Sequence, residues 1–358
     1  MTTPSRLRQR VQYARASDDV RLAWAESGGG PIVVKAANWL THLEYEWESP
    51  VWRHWIQFFS EHCRLVRYDE RGCGMSEWKS GPLTIEQWSD DLATIIEAAR
   101  PSEPVTLLGI SQGAAACIAY ATKHPDRVAR MILYGAYARG KFLQGKPDVA
   151  REYRAVIEVA RIGWGSDNPA FRQLFTSRFI PEGTHEQVQW FNELCRKTAP
   201  GHVAAELMES RAVIDVTQLL GAVTTPTLVL HARHDSAIPF DEGRLLAAGI
   251  PNAQFVELDS RNHILLEHEP AWNRFRDEVL EFLGAGSRAS DEAVFASLSS
   301  RERQILALMT EGLANTDIAE CLSISEKTVR NHTSNIFDKL GVWSRAQAIV
   351  FARDHGFE

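Results

Sequence analysis

Val105-Thr106-Leu107-Leu108-Gly109-Ile110-Ser111-Gln112-Gly113 decides how most of this chain folds. An apolar run of strand type leads into a serine flanked by two glycines, and a helical pattern over 112–123 follows. A serine on a turn this cramped needs small neighbours on both sides, which Gly109 and Gly113 supply. The turn exposes the hydroxyl and aims the next backbone N–H at any negative charge developing beside it. Alone, the motif has a plainer alternative, a buried turn serine.

Outward from this turn the pattern alternates. Upstream, 11–26 reads as two strands joined by a turn at Asp18-Asp19, then a strand over 32–34, a helix over 50–61, a strand over 64–68 and a helix over 84–99. Downstream come a strand over 129–133, a strand over 227–230, a helix over 240–248, a strand over 254–258 and a helix over 270–283. Such alternation predicts a mostly parallel sheet with helices on both faces. The interval 137–223 has no strand pattern and is rich in helix formers and aromatics. It reads as a helical insertion, either a lid over a pocket or an ordinary subdomain.

Chemistry at Ser111 needs a base and an acid that orients it. Asp235 lies in the loop after the strand over 227–230, and His263 in the loop after the strand over 254–258. Ser111, Asp235 and His263 thus each follow a strand end and make a candidate triad. His231 and His234 compete for the base but sit on the acid's loop. Asp69, Arg71 and the glycines at 72 and 74 read as a loop-holding device. The order of the three residues, with the elbow and the Asp69–Ser76 segment, resembles the α/β-hydrolase family over about 9–283. The fold expected there is α/β: an α/β-hydrolase fold with a helical cap at about 137–223. Many members carry His-Gly after the strand over 32–34. This chain has Lys35-Ala36-Ala37-Asn38-Trp39, with Asn38 standing in for the glycine and the N–H groups of Trp39 and Gln112 as the implied oxyanion hole. Trp39, Trp47, Trp52 and Trp55 either line the pocket or pack the core.

A small, polar stretch from Gly284 to Ser290 begins a linker expected at 284–293. In the domain expected at 294–358, Ser299 and Glu302 have capping-box spacing, with Ile305, Leu308 and Met309 as the buried side of the helix they open. Asn315 is the expected cap of a short second helix and Ser325 that of a third, which runs to Leu340. On the third helix Val329, Ile336 and Leu340 share one face, and Lys327, Arg330, Asn331 and Ser334 share another. A short helix, a tight turn and a helix with a polar donor face form a helix-turn-helix. The residues Leu298-Ser299-x-Arg301-Glu302, Gly312-Leu313-x-Asn315, Ile324-Ser325-Glu326-x-Thr328-Val329-Arg330-Asn331-His332 and Lys339-Leu340-Gly341-Val342-x-Ser344-Arg345 resemble the LuxR/GerE regulators. The resemblance implies that Arg330, Asn331 and Ser334 face bases. It also places Lys327, Thr328 and Lys339 near phosphates and gives the last helix a role in dimerisation.

The formal charge of −7 over 358 residues excludes a chain that is basic throughout. The segment 294–358 itself holds seven Lys and Arg against eight Asp and Glu, so any nucleic-acid footprint is local. Five scattered cysteines favour neither disulfides nor a zinc site and fit a reducing cytoplasm. No apolar run reaches the length of about 20 residues that crosses a bilayer. No metal or cofactor motif is present, and no phosphate-cradling loop. The expectation is a cytoplasmic, homodimeric transcription regulator whose hydrolase-like part binds, and in one reading hydrolyses, a small molecule, with double-stranded DNA as the other partner. The alternative is an esterase-like serine hydrolase with DNA binding as a secondary role.

Overall fold

The computed structural model describes residues 8–78, 83–284, 295, 297–340, 342, 344–354 and 357. Of the linker expected at 284–293, only Gly284 is among them. The chain divides into two compact units, Met1–Val279 and Leu280–Glu358.

The first unit is built on one eight-stranded sheet: β1 (Arg10–Arg15), β2 (Arg21–Gly28), β3 (Ile32–Lys35), β4 (Arg64–Tyr68), β5 (Val105–Ile110), β6 (Val128–Tyr134), β7 (Thr227–Ala232) and β8 (Gln254–Leu258). The order across the sheet is β1-β2-β4-β3-β5-β6-β7-β8. β2 runs antiparallel to both its neighbours, and β3 through β8 pair in parallel. Every residue of β5 and β7 is buried, as a strand covered on both faces must be. Helices α1 (Leu43–Trp47), α2 (Arg53–His62), α3 (Ile85–Ala99) and α4 (Gly113–Lys123) lie between the earlier strands, and α9 (Phe240–Gly249) and α10 (Pro270–Leu283) follow the later ones. Between β6 and β7 come α5 (Pro147–Gly163), α6 (Ala170–Phe179), α7 (His185–Thr198) and α8 (Gly201–Ala212), with no named strand among the described residues. This insertion has a core of its own. Trp164 is fully buried, donates from its indole to the Cys195 carbonyl at 2.8 Å and meets Phe175 edge-on at 5.0 Å.

The second unit holds α11 (Ser300–Thr310), α12 (Asn315–Cys321), α13 (Glu326–Leu340) and α14 (Arg345–Asp354). The capping box is present: Ser299 N–H donates to Glu302 at 2.7 Å, and Glu302 N–H to the Ser299 hydroxyl at 3.3 Å. Two sequence expectations need correction. Leu306, not Leu308, joins Ile305 and Met309 in the core, and Leu308 is only partly buried. Asn315 does not cap α12. Ala314 stands at the cap, with its N–H taken by Asp317 at 3.1 Å. Asn315 instead accepts from Arg345 at 3.1 Å, and Arg345 also donates to the Leu313 carbonyl, which ties α14 to the start of α12. Ser325 caps α13 as expected, accepting the Thr328 N–H at 3.1 Å.

Glu302 is almost wholly buried and receives Lys339 Nζ at 2.7 Å, joining α11 to the end of α13. Burial alone would raise its pKa. Lys339 and the Ser299 groups outweigh that and hold the carboxyl at about 2, against an ordinary 4.5. Its contribution to stability is therefore fully present above pH 4.5 and is lost as pH falls toward about 2. Glu302→Gln should destabilise the second unit by about 1–3 kcal/mol at neutral pH. The difference should shrink across that acid window in chemical denaturation followed by circular dichroism; a constant difference would remove the ion pair as its cause.

Candidate active site and DNA-reading helix

Ser111 stands between β5 and α4 with a φ of +54°, in the left-handed region that side chains other than glycine avoid. The strain is held by what surrounds it. Ser111 N–H donates to the Tyr134 carbonyl of β6 at 2.9 Å, and Ala114 N–H to the Ser111 carbonyl at 3.2 Å. A methyl group on Gly109 would lie 2.7 Å from Ala114 Cα, and one on Gly113 would lie 3.1 Å from the Ala37 carbonyl oxygen. Close backbone approach thus requires a glycine at 109 and leaves little room for a side chain at 113.

Asp235 and His263 come together beside β6 and β7. The Asp235 carboxylate accepts the Ala237 and Ile238 N–H groups at 2.8 and 2.9 Å through Oδ1, and His263 Nδ1–H at 2.7 Å through Oδ2. Both side chains are buried. Burial would raise the Asp235 pKa, but His263, His231 and the backbone donors prevail and hold it below the ordinary carboxylate value. The ring is fixed from two more directions. Gly135, with φ +54°, leaves room for it, since a methyl group there would sit 2.9 Å from His263 Cε1. Phe179, the last residue of α6, meets the imidazole edge-on at 5.2 Å, and its carbonyl accepts His263 N–H at 2.9 Å. With Nδ1–H given to Asp235, the buried Nε2 carries the lone pair, and no hydrogen bond takes it up. His231 is fully buried, its Nε2 3.2 Å from the Ile238 carbonyl and 3.8 Å from Asp235, and burial lowers its pKa. It packs beneath the acid. His234 is exposed.

Trp39, Ser111 and Gln112 line one cavity of about 70 Å³. Gln112 stands at the cap of α4, where amides have no intrahelical acceptor. Asn38 points its side chain to Lys35 and to the Trp39 carbonyl, so it braces the loop. Trp52 and Trp55 border a different, smaller cavity, with Trp55 packed on Tyr134 and Phe275, so these two belong to the core. Trp39 is the one of the four that both lines the Ser111 cavity and meets the cap, at 5.5 Å from Trp164. The Asp69–Ser76 loop is structural: Arg71 pairs with Asp18 and Asp91, and Asp69 accepts the Leu43 and Met75 N–H groups. Much of the remaining cavity wall comes from the cap region, with Tyr137, Lys141, Tyr153, Arg178 and Arg211. Sequence reasoning missed these, because they lie far from every motif.

In the second unit Lys327, Arg330, Asn331 and Ser334 are all exposed on α13, opposite the buried Val329, Thr333, Ile336 and Leu340. Arg330 lies 3.4 Å from Glu326, an exposed pair worth little. Thr328 shares a hydrogen bond with Ser325 at 2.8 Å. Lys339 donates to Glu302 at 2.7 Å, and its ammonium, partly exposed, has further N–H donors.

A strained serine at the β5–α4 turn and a hydrogen-bonded Asp–His pair in the loops after β7 and β8 of the same parallel sheet, in a chain that also carries a helix-turn-helix unit, define its class. The chain belongs to the α/β hydrolase fold family, matched over residues 43–270, and residues 296–352 match the luxR family of bacterial regulatory proteins. It is 25% identical to pyrrolizixenacetamide deacetylase of Xenorhabdus hominickii over 246 residues, which span 67% of this chain and 87% of that protein. The enol-lactonase of Burkholderia xenovorans superposes with a TM-score of 0.62 at 26% identity, covering 76% of this chain and all of that one. The C-terminal unit is 50% identical over 60 residues to the transcriptional regulatory protein DegU of Brevibacillus brevis, which is 17% of this chain and 25% of that protein.

Gly135→Ala should push the His263 ring away from Asp235 and slow phosphonylation of Ser111 by a fluorophosphonate by about 100-fold. The reading is intact-mass spectrometry against time, with circular dichroism to confirm the fold; an unchanged rate would remove His263 from the reacting set.

Proposed function

We propose that the chain is a transcription regulator in which Ser111, Asp235 and His263 bind and hydrolyse a small ester, lactone or amide, and that occupancy of this site controls DNA binding by α13. The observation that carries the proposal is the buried Asp235–His263 hydrogen bond, which leaves His263 Nε2 basic and unpartnered beside the Ser111 cavity. No hydrogen bond joins Ser111 to His263 in this state, as is common before a substrate is bound.

In the proposed reaction His263 Nε2 accepts the Ser111 proton as Oγ attacks the acyl carbon. The Gln112 and Trp39 N–H groups hold the oxygen that becomes negative. His263 then gives its proton to the leaving oxygen or nitrogen, and an acyl group remains on Ser111. Water attacks this ester, loses a proton to His263, and releases the acid as Ser111 regains its proton. Asp235 keeps the imidazole in the Nδ1–H tautomer and stabilises its positive charge throughout.

For the second unit, Arg330, Asn331 and Ser334 are proposed to read base edges in the major groove, with Lys327 and Thr328 at the backbone. The luxR-family match over residues 296–352 is the reason to propose α14 as the surface on which two copies meet.

Ser111→Ala should abolish fluorophosphonate labelling, read as the loss of the adduct mass, and labelling that persists would show that another residue reacts. Arg330→Ala should weaken binding to the target operator by about 1–3 kcal/mol while leaving weak nonspecific binding. Footprinting checks this, and an unchanged footprint would take Arg330 off the reading face.

A further inference from the structure

The cavity that holds Ser111 has an uneven wall. One side is apolar, with Val156, Phe175 and Met208. On the other is Arg211, in the last turn of α8, 5% exposed and reaching from the cap to the sheet domain. Its Nη2 pairs with the buried Glu70, whose other oxygen accepts the Trp88 indole N–H at 2.7 Å. The guanidinium carbon lies 4.7 Å from the centre of the Trp39 ring and 5.9 Å from that of Trp88. Glu70 and the two rings hold the group firmly in place. Yet Arg211 Nη1 and Nε are buried and have no hydrogen-bond partner. Unsatisfied donors of this kind, on a charged group, are costly unless something else binds them.

The surrounding charges point the same way. The other two cations of the cavity wall are engaged. Arg178 pairs with Glu152, and Lys141 Nζ rests on the Ala237 carbonyl at 2.8 Å. Lys141, Tyr153, Arg178 and Ala237 also line an adjoining polar cleft of about 240 Å³, which Lys146 makes more positive. Arg178 is thus taken up by Glu152, and Lys141 also feels Asp235 and Glu242, whereas Arg211, which lines the cavity, keeps N–H donors that its one carboxylate, Glu70, does not use.

The geometry points to a carboxylate-bearing ligand, seated with its carboxylate on Arg211 and its scissile acyl group at Ser111. This deepens the hydrolase reading and rests on it for the position of the acyl group. Hydrogen bonds from guanidinium to carboxylate are charge-assisted and roughly twice as strong as neutral ones. A neutral ester of the same length would fill the apolar wall but leave Arg211 unsatisfied. Discrimination of this form, in which the site's own buried polar groups are left unpaired by the wrong ligand, is stronger than a hydrophobic wall alone provides.

The test compares p-nitrophenyl hydrogen glutarate with p-nitrophenyl valerate, which share a leaving group and differ in the distal carboxylate. The protein is the full chain as wild type, as Glu70→Gln and as Arg211→Met/Glu70→Gln. The double variant removes both members of the buried pair, so no unpaired charge is left to unfold the domain. The wild type should favour the glutarate ester in kcat/KM by about tenfold or more. Glu70→Gln should raise that ratio by releasing Arg211, and the double variant should abolish it. A ratio near one in the wild type, or one that survives in the double variant, overturns the proposal and leaves Arg211 as a structural partner of Glu70. Calorimetric titration with glutarate separates the two readings. Glutarate bound by the wild type and not by the double variant, in a chain that hydrolyses neither ester, would uphold the carboxylate site and sink the hydrolase chemistry. Absence of glutarate binding together with absence of ester preference would sink the carboxylate site alone.

Discussion

The hydrogen bond from His263 Nδ1 to Asp235 is the contact on which the N-terminal site depends. It fixes a tautomer, and the tautomer decides which nitrogen is basic. Both residues sit in loops, yet the bond is short and dry because the loops leave adjacent parallel strands, β7 and β8. Gly135 at the end of β6 makes room for the ring. The cap closes over it through Phe179, whose carbonyl receives the N–H groups of His263 and Ile264. The helical insertion is therefore part of the histidine's mounting as well as a wall of the cavity, and the arrangement of the site follows from the order of strands in the sheet.

The same region concentrates the departures from relaxed structure. Ser111 has a left-handed backbone, and Arg211 is a buried cation with spare donors. Charged groups are also buried away from the cavity. Glu46 and Arg67 pair at 2.8 Å, and Lys35 lies among them with its pKa lowered by burial to about 8. A fold tolerates such features where the surroundings over-determine them, and they gather where a ligand is handled. The helix-turn-helix unit is different in kind. Among its described residues the one non-glycine residue with a positive φ is Ser323 in the turn, its core is a single apolar cluster, and α13 leaves a row of polar side chains exposed.

The parts of this architecture readable in the sequence were those with local causes. The G-x-S-x-G turn declares itself because the strained serine and the Gly109–Ala114 approach are set within a few residues. Asp235 and His263 could be placed because each follows a strand whose apolar run is legible, and helical periodicity separated the two faces of α13. What stayed hidden is set by long-range contact. Arg211 is 141 residues from Glu70, and no local pattern announces that pair. The Lys339–Glu302 pair is hidden in the same way, because the two residues lie two helices apart. Asn315 has the composition of a cap but is drawn to Arg345, while Asp317 serves Ala314 from within the helix. In each of these cases a tertiary partner outbid a local preference.

The N-terminal site and the reading helix belong to separate compact units, so the chemistry proposed for the first can be examined without reference to the second. The most direct measurement is the proton NMR spectrum of the full chain at low temperature. A neutral imidazole locked by a buried carboxylate should give one strongly deshielded N–H resonance, far from the amide envelope, that exchanges slowly with water. The signal is expected in the wild type, assigned to His263 Nδ1–H, and lost in Asp235→Asn. A spectrum without the signal, or one in which it survives Asp235→Asn, would contradict the claim that this hydrogen bond organises the site.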